Sequence, residues 1–221
     1  DFLTNKGFTP IDPPHMLRRE PYEGVTDLND FEDVMYKIEN EDLYLIATSE
    51  HPLAAMHMNE TFFDREKLPL KYAGISPCYR KEAGSHGKDT KGIYRVHRFN
   101  KVEQFVFCKP ENSWRILKKK KKNEEEIFQS LEIPYRKVNI CTGDLGIVAA
   151  KKYDLEAWMP VQDKYREVTS ASNCTDYQAR RLNIKYIDEN DEKRYVHTLN
   201  ATGIATVRPM VAILEKKKKK N

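Results

Sequence analysis

Arg80-Lys81-Glu82 and Arg95-Val96-His97-Arg98-Phe99-Asn100-Lys101-Val102-Glu103 place two runs of alternating residue types on either side of a loop from Ala83 to Gly92. Period-two alternation predicts that Arg80 and Glu82 share one face of a strand, and that Arg95, His97, Phe99, Lys101 and Glu103 share one face of the returning strand. A guanidinium, two carboxylates and a stackable ring then converge. Arg80 can bridge a carboxylate and a phosphate through its planar fork, Glu82 can accept from an adenine amino group, and Phe99 offers an apolar platform to the base. Such a set suits ATP held beside an amino acid. The plainer alternative is a pair of cross-strand ion pairs, Arg80 with Glu103 and Glu82 with Arg95.

Two further segments carry weaker signals. Glu167-Val168-Thr169-Ser170 sets a carboxylate and a hydroxyl three residues apart, which suits a Mg²⁺ ion bridging ATP phosphates if the strand ends or bulges there. The alternative is an ordinary strand in which Glu167 partners Arg166 or Lys164. Asn200 to Arg208 reads as a strand-to-helix turn with one glycine, Gly203, too sparse for a P-loop. Arg208, in the second turn of that helix, can still meet a phosphate near the helix's positive N-terminus. Asp154 and Glu156 share a strand face, and a structural role is the expectation for both. The six histidines form no H-E-x-x-H and no close Cys/His cluster, which disfavours a protein-held zinc, and the lack of G-x-S-x-G disfavours an acyl-hydrolase.

Positioning these groups requires a sheet. Phe2-Leu3 reads as the end of a helix stopped by Gly7, and residues 8–14 as an extended edge segment. Leu43 to Thr48 reads as a strand, with Ser49 as N-cap of a helix reaching Met58 and Pro52 in its first turn; Thr48 and Glu50 then sit at an element end. Leu70 to Arg80 and Tyr94 to Phe107 alternate as a long hairpin, with Gly84, Gly87 and Gly92 punctuating the loop. Glu111 to Leu131 reads as a surface helix. Tyr135 to Ile140, Lys151 to Met159, Tyr165 to Ser172 and Tyr195 to Leu199 read as strands, and Ala205 to Glu215 as a final helix. Strands joined by hairpins rather than regular helical crossovers predict an α+β class, an antiparallel β-sheet flanked by helices.

With 221 residues, 39% of them hydrophobic, the chain has enough apolar content for a substantial core. No stretch approaches the ~20 apolar residues of a membrane span, and the first residues lack a signal-peptide profile, so a soluble cytoplasmic protein is expected. Cys78, Cys108, Cys141 and Cys174 are spaced as reduced, structural thiols. The net charge of +4 is misleading. Lys118 to Lys122 and Lys216 to Lys220 supply ten of the 38 basic residues; the other 28 stand against 34 acidic ones, a balance of −6. Those runs read as solvated helix face or tail, with a loose phosphate-binding patch or an altered segment as alternatives.

The motifs resemble those of class II aminoacyl-tRNA synthetases, and most specifically the serine-specific branch of that family. Gly7 to Pro14 resembles the end of the dimer-forming motif 1, Tyr79 to Phe105 motif 2, and Leu199 to Glu215 motif 3. Thr48-Ser49-Glu50 resembles the serine-pocket loop, and Tyr165 to Arg181 a segment particular to that branch. The resemblance implies that Arg80 contacts the ATP α-phosphate and the serine carboxylate and that Arg208 holds the γ-phosphate, these two being the catalytic pair. It implies that Glu82 and Phe99 meet the adenine, with Arg95, Val96 and His97 also along the nucleotide. Glu167 and Ser170 would support Mg²⁺ and the phosphates; Thr48, Glu103, Asn200 and Thr202 would shape the serine site, with Glu50 closing it.

The implied activity is ATP-dependent conversion of L-serine to seryl-adenylate and its transfer to tRNA(Ser), by a homodimer when motif 1 is complete. The implied domain is one class II catalytic fold over residues 1–221, cut at both ends and lacking the family's N-terminal tRNA-binding coiled coil, so that activation alone is the step expected to survive. The rivals are a ligase loading an amino acid onto a carrier protein and a non-catalytic scaffold acting by binding.

Overall fold

The computed structural model describes residues 1–27, 33–63, 67–82 and 92–218. Its main sheet has seven strands in the order β1 (Thr9–Ile11), β5 (Leu70–Tyr79), β6 (Arg98–Cys108), β12 (His197–Ala205), β9 (Lys164–Asn173), β8 (Lys151–Met159) and β7 (Tyr135–Asn139). All neighbours are antiparallel except β1 and β5. A small sheet joins β4 (Thr61–Phe62), β10 (Lys185–Ile187) and β11 (Lys193–Tyr195), and a ribbon pairs β2 (Met16–Leu17) with β3 (Tyr44–Leu45). The helices are α1 (Arg19–Val25), α2 (Glu50–Ala55), α3 (Ser113–Ser130), α4 (Tyr177–Arg181) and α5 (Val207–Lys218). This is the α+β architecture the sequence implies.

Alternation along β6 splits the core in two. Phe105 and Phe107 pack with Leu53 and Ala54 of α2, while Val106 and Cys108 pack with Ile116 and Leu117 of α3 on the opposite face. Each fully buried apolar side chain of this size is worth about 1.5–3 kcal/mol, so the pairing register of β6 is strongly specified. Phe99, Lys101 and Glu103 of the same strand therefore have their facing fixed. Among the described residues no helix is long and apolar enough to cross a membrane, and the four cysteines are free thiols.

Several sequence expectations need correction. The hairpin ladder is shorter than the alternation suggests: β5 stops at Tyr79, paired with Arg98, and one more bond runs from Arg80 N–H to the His97 carbonyl at 2.9 Å. The next amide, that of Lys81, donates to Val34 instead, and Glu82 adopts φ 55°. Arg80, Glu82, Arg95 and His97 thus lie beyond the strands. Gly84 and Gly87 fall outside the described residues.

The Leu43 to Thr48 strand reduces to Tyr44–Leu45, and Ser49 has helical backbone angles with no capping bond; its hydroxyl donates to the Gly74 carbonyl at 3.4 Å. Asn200 to Thr202 is no turn but the middle of β12, hydrogen-bonded to β6 on one side and, through Asn200 and Ala201, to β9 on the other. The β12–β6 register slips at Gly203, where an added Cβ would stand 3.1 Å from the Val102 carbonyl. The final helix starts at Val207, which puts Arg208 in its first turn.

The long helix is not a surface helix. Ser113, Ile116, Leu117, Lys120, Asn123, Glu124 and Phe128 recur at helical spacing and are buried, so the lysine run includes a buried member and is not simply a solvated face.

Candidate active site

Side chains of β6, β9 and β12, the residues just beyond the paired ends of β5 and β6, and the first turns of α2 and α5 enclose two adjoining hollows. The smaller, about 110 Å³, is bordered by Arg80, Glu82, Arg95, Phe99, Glu167 and Arg208, with Val96 also on its wall. The larger, about 550 Å³, is bordered by Thr48, Glu50, Glu103, Ser170, Asn200 and Thr202. Arg80, Glu82, Arg95, Lys101 and Thr202 line both, making one cleft with two halves. Every candidate residue read from the sequence lines this cleft except His97, which is exposed and bonded through Nδ1 to the Tyr36 hydroxyl at 2.5 Å.

Arg80 is held from two directions. Its Nε donates to the Ala47 carbonyl at 3.1 Å, and its guanidinium lies 5.4 Å from the centroid of the Phe99 ring. Arg95 pairs with Glu82, one of the two ion pairs of the plainer alternative. The other does not form: Glu103 faces Lys101, whose ammonium lies 2.5 Å from Oε2 and also donates to Thr48 Oγ1 at 3.3 Å.

Glu167 and Ser170 sit where β9 bulges. Leu155 pairs with Thr169 and the next residue, Glu156, pairs with Glu167, so Val168 is the extra residue. That insertion turns two positions three apart toward the same cleft. Arg208 donates to the Glu167 carbonyl oxygen at 2.9 Å, lies 3.4 Å from its carboxylate, and stacks on Tyr94 at 5.0 Å. Asp154, opposite Ser170 in the ladder, is pushed up to about 6, chiefly by burial, against the pull of the Ser170 hydroxyl.

In the larger half, Asn200 and Gln178 both donate to Glu50 Oε1, at 2.8 and 3.0 Å, and Gln178 accepts from Thr198 at 2.6 Å. Burial first, and then the nearby Glu103 carboxylate, raise Glu50 to about 6, with Lys101 opposing. His51, next to Glu50, bonds through Nδ1 to the Tyr22 hydroxyl at 2.7 Å; burial, with Arg80 and Lys101 nearby, pushes it down to about 3, so it stays neutral.

Residues 33–217 match the family model described as tRNA synthetase class II core domain (G, H, P, S and T). The chain belongs to that family. The serine–tRNA ligases of Pyrococcus horikoshii and Archaeoglobus fulgidus are 68% and 66% identical to it over 97% of this chain. The chain spans about half the length of these relatives, 47% and 48% respectively. The crystal structure of seryl-tRNA synthetase from Pyrococcus horikoshii complexed with ATP superimposes with a TM-score of 0.94 at 68% identity, over 97% of this chain and 48% of that one. A cytoplasmic serine–tRNA ligase from Naegleria fowleri in complex with AMP gives 0.90 at 50% identity, over 97% and 51%. A prolyl-tRNA synthetase from Giardia lamblia, at 20% identity and 0.84, shares the fold.

This class II core uses side chains that the sequence reading left out. Gln178 orients Glu50, Tyr22 braces the Ala47 peptide and His51, and Tyr94 lies under Arg208. None had a usable local signal: Tyr22 lies 25 positions from Ala47 and 29 from His51, and Gln178 lies 128 from Glu50. Lys101 was placed on the correct face without a role, and its position between Thr48 and Glu103 supplies one.

Proposed function

We propose that this core activates L-serine with ATP to give seryl-adenylate and pyrophosphate, and that in the longer protein it passes serine to tRNA(Ser). The observation that carries the reading is the two-part cleft. Cationic Arg80 and Arg208 stand in one half beside the Phe99 and Tyr94 rings, and Glu50 and Asn200, braced by Gln178, line the other. The high identity to serine–tRNA ligases and the ATP and AMP named with two related structures support it.

In this reading the serine carboxylate oxygen bonds to the α-phosphorus as the bond from that phosphorus to the bridging oxygen breaks, and pyrophosphate leaves with the electron pair. The protein contributes alignment and charge: Arg80 sits at the junction of the halves, where it can hold both the carboxylate and the α-phosphate, and Arg208 receives the distal phosphates. Glu82 and Phe99 take the adenine, with Arg95 and Val96 beside it. Thr48, Glu103, Asn200 and Thr202 surround the amino acid, whose ammonium and hydroxyl meet the carboxylate of Glu50.

Mg²⁺ fits the donors present. The carboxylate of Glu167 and the hydroxyl of Ser170 are hard oxygen ligands brought to one side by the bulge, and one carboxylate plus phosphate oxygens is the usual setting for this ion. When bound, it would neutralise phosphate charge. Homodimerisation and a cytoplasmic setting belong to the same proposal.

Serine-dependent ATP–pyrophosphate exchange tests it. Exchange with serine and far less with alanine is the expected result, whereas a folded protein that binds ATP without exchange with any amino acid supports the scaffold reading.

A further inference from the structure

Lys120 is 1% exposed, between α3 and the main sheet. Its Nζ donates to the carbonyl oxygens of Gln104 at 2.8 Å and Leu199 at 2.6 Å. Gln104 follows Glu103 on β6, and Leu199 precedes Asn200 on β12, so the ammonium grips the backbone beside two cleft residues on adjacent strands. Asn123, one turn further along α3, donates to Gln104 Oε1 at 2.7 Å. Ile116, Leu117 and Phe128 on the same stripe are apolar and satisfy the packing, while burying a lone charge costs several kcal/mol unless anions surround it.

Acidic groups do surround it, from several elements, with burial holding the Glu124 carboxyl and the Cys174 thiol well above their ordinary values. Glu103 of β6, Glu50 of α2 and Glu124 of α3 itself all act on Lys120, as does the Cys174 thiol just after β9. Glu50 is faced in turn by Glu103, by the Lys101 ammonium, by Cys174 and by the buried Tyr22 hydroxyl. Burial lowers Lys120 to about 7, with Glu103 the first influence opposing it. The Glu103 carboxylate favours a protonated Glu50, and the ammoniums of Lys101 and Lys120 oppose that.

We propose that Lys120 is a positioning residue for the amino-acid half of the cleft: from behind the sheet it fixes Glu103 and Asn200 through their neighbouring carbonyls, with its ammonium as countercharge behind the Glu50 carboxylate. The inference rests on the amino-acid-activation reading. Lys101 supplies the remaining countercharge, so removal of Lys120 shifts the Glu50 titration upward without abolishing binding.

Lys120→Met removes charge and bonds, Lys120→Gln keeps a donor without charge, and Lys119→Met on the exposed face is the control. The measurement is serine-dependent exchange against pH, with ATP affinity as the check on folding. Expected is an acid limb of kcat/KM for serine moved upward in both Lys120 variants. Each unit of movement corresponds to about tenfold in serine KM below the limb; the ATP KM stays unchanged and activity recovers toward pH 8.5. An unmoved limb with parental serine KM overturns the inference. So does failure of both variants to bind ATP, which makes Lys120 a structural clamp only. Absence of exchange in the parent chain sinks the activation reading instead.

Discussion

Arg80 and Tyr22 hold the two peptide groups that flank one residue: the Ala47 carbonyl accepts from Arg80 Nε at 3.1 Å, and the Ala47 N–H donates to the Tyr22 hydroxyl at 3.2 Å. The guanidinium therefore approaches the cleft with its Nε already used, leaving its two terminal nitrogens as a fork. Fixing that fork before substrate arrives is what makes it effective against developing negative charge.

Arg80→Ala should lower serine-dependent exchange by roughly 10²–10³-fold, the range seen when one pre-organised donor to a transition state is lost. Arg80→Lys should recover little, because a point charge cannot span carboxylate and phosphate together. ATP–pyrophosphate exchange with circular dichroism as the folding check measures both. Retention of nearly full exchange in Arg80→Ala would reduce Arg80 to a packing role.

Glu50, raised to about 6 by burial and by Glu103, sets a pH limit. The amino-acid half needs its carboxylate ionised, so kcat/KM for serine should fall as pH drops through about 6. The sign for stability is opposite. The folded chain holds this proton more tightly than the unfolded chain does, so ionised Glu50 is a stability cost at neutral pH, relieved as pH falls through its folded value. Glu50→Gln should therefore lose exchange and flatten the acid limb while melting no lower than the parent at pH 7.5, as read by thermal denaturation. A variant that both melts lower and keeps the limb contradicts the assignment.

Period-two alternation in the sequence disclosed much of the sheet and the shared face of Phe99, Lys101 and Glu103, whereas Thr48, Glu50, Asn200 and Thr202 were brought to the cleft only by the family resemblance. Phe99, Lys101 and Glu103 had to face together once Phe105 and Phe107 faced the core. What alternation cannot disclose is where a ladder stops: Arg80 and Glu82 reach the cleft because Lys81 N–H leaves β6 for Val34, a contact 47 positions away. The bulge at Val168 was stated only as a condition, since one unpaired residue leaves no compositional mark. Lys120 was hidden for a different reason. Inside five identical lysines, nothing local distinguishes the one that points inward, and only the 3.6-residue stripe of Ile116, Leu117 and Phe128 places it.

Discrimination should be lopsided. Asn200 and Gln178 present a hydrogen-bonded Glu50 to the substrate, so alanine leaves polar groups unsatisfied, a loss that in comparable pockets reaches about 10⁴-fold. Threonine adds one methyl, and a hollow of about 550 Å³ has room to give. Exclusion of a single methyl is worth only about 10–200-fold. Exchange rates with serine, threonine and alanine should fall in that order, and alanine activated faster than threonine would refute the assigned pocket polarity.

Gly74 connects the sheet to the helix that carries Glu50. It lies opposite Glu103 in the β5–β6 ladder, and an added Cβ would stand 2.7 Å from Leu53 Cδ1 in α2 and 2.9 Å from the side chain of Ser49, the residue just before that helix. Gly74 has no positive φ, so the requirement is for space, not for backbone freedom. Gly74→Ala must push α2 outward, at a cost of about 1–3 kcal/mol for overpacking. Because Glu50 opens that helix while Arg80 and Phe99 do not ride on it, the serine KM should rise and the ATP KM stay near the parental value. Equal increases in both would mean that the two halves move as one body, and an unchanged melting temperature would mean that the close approach of α2 to β5 is not held tightly.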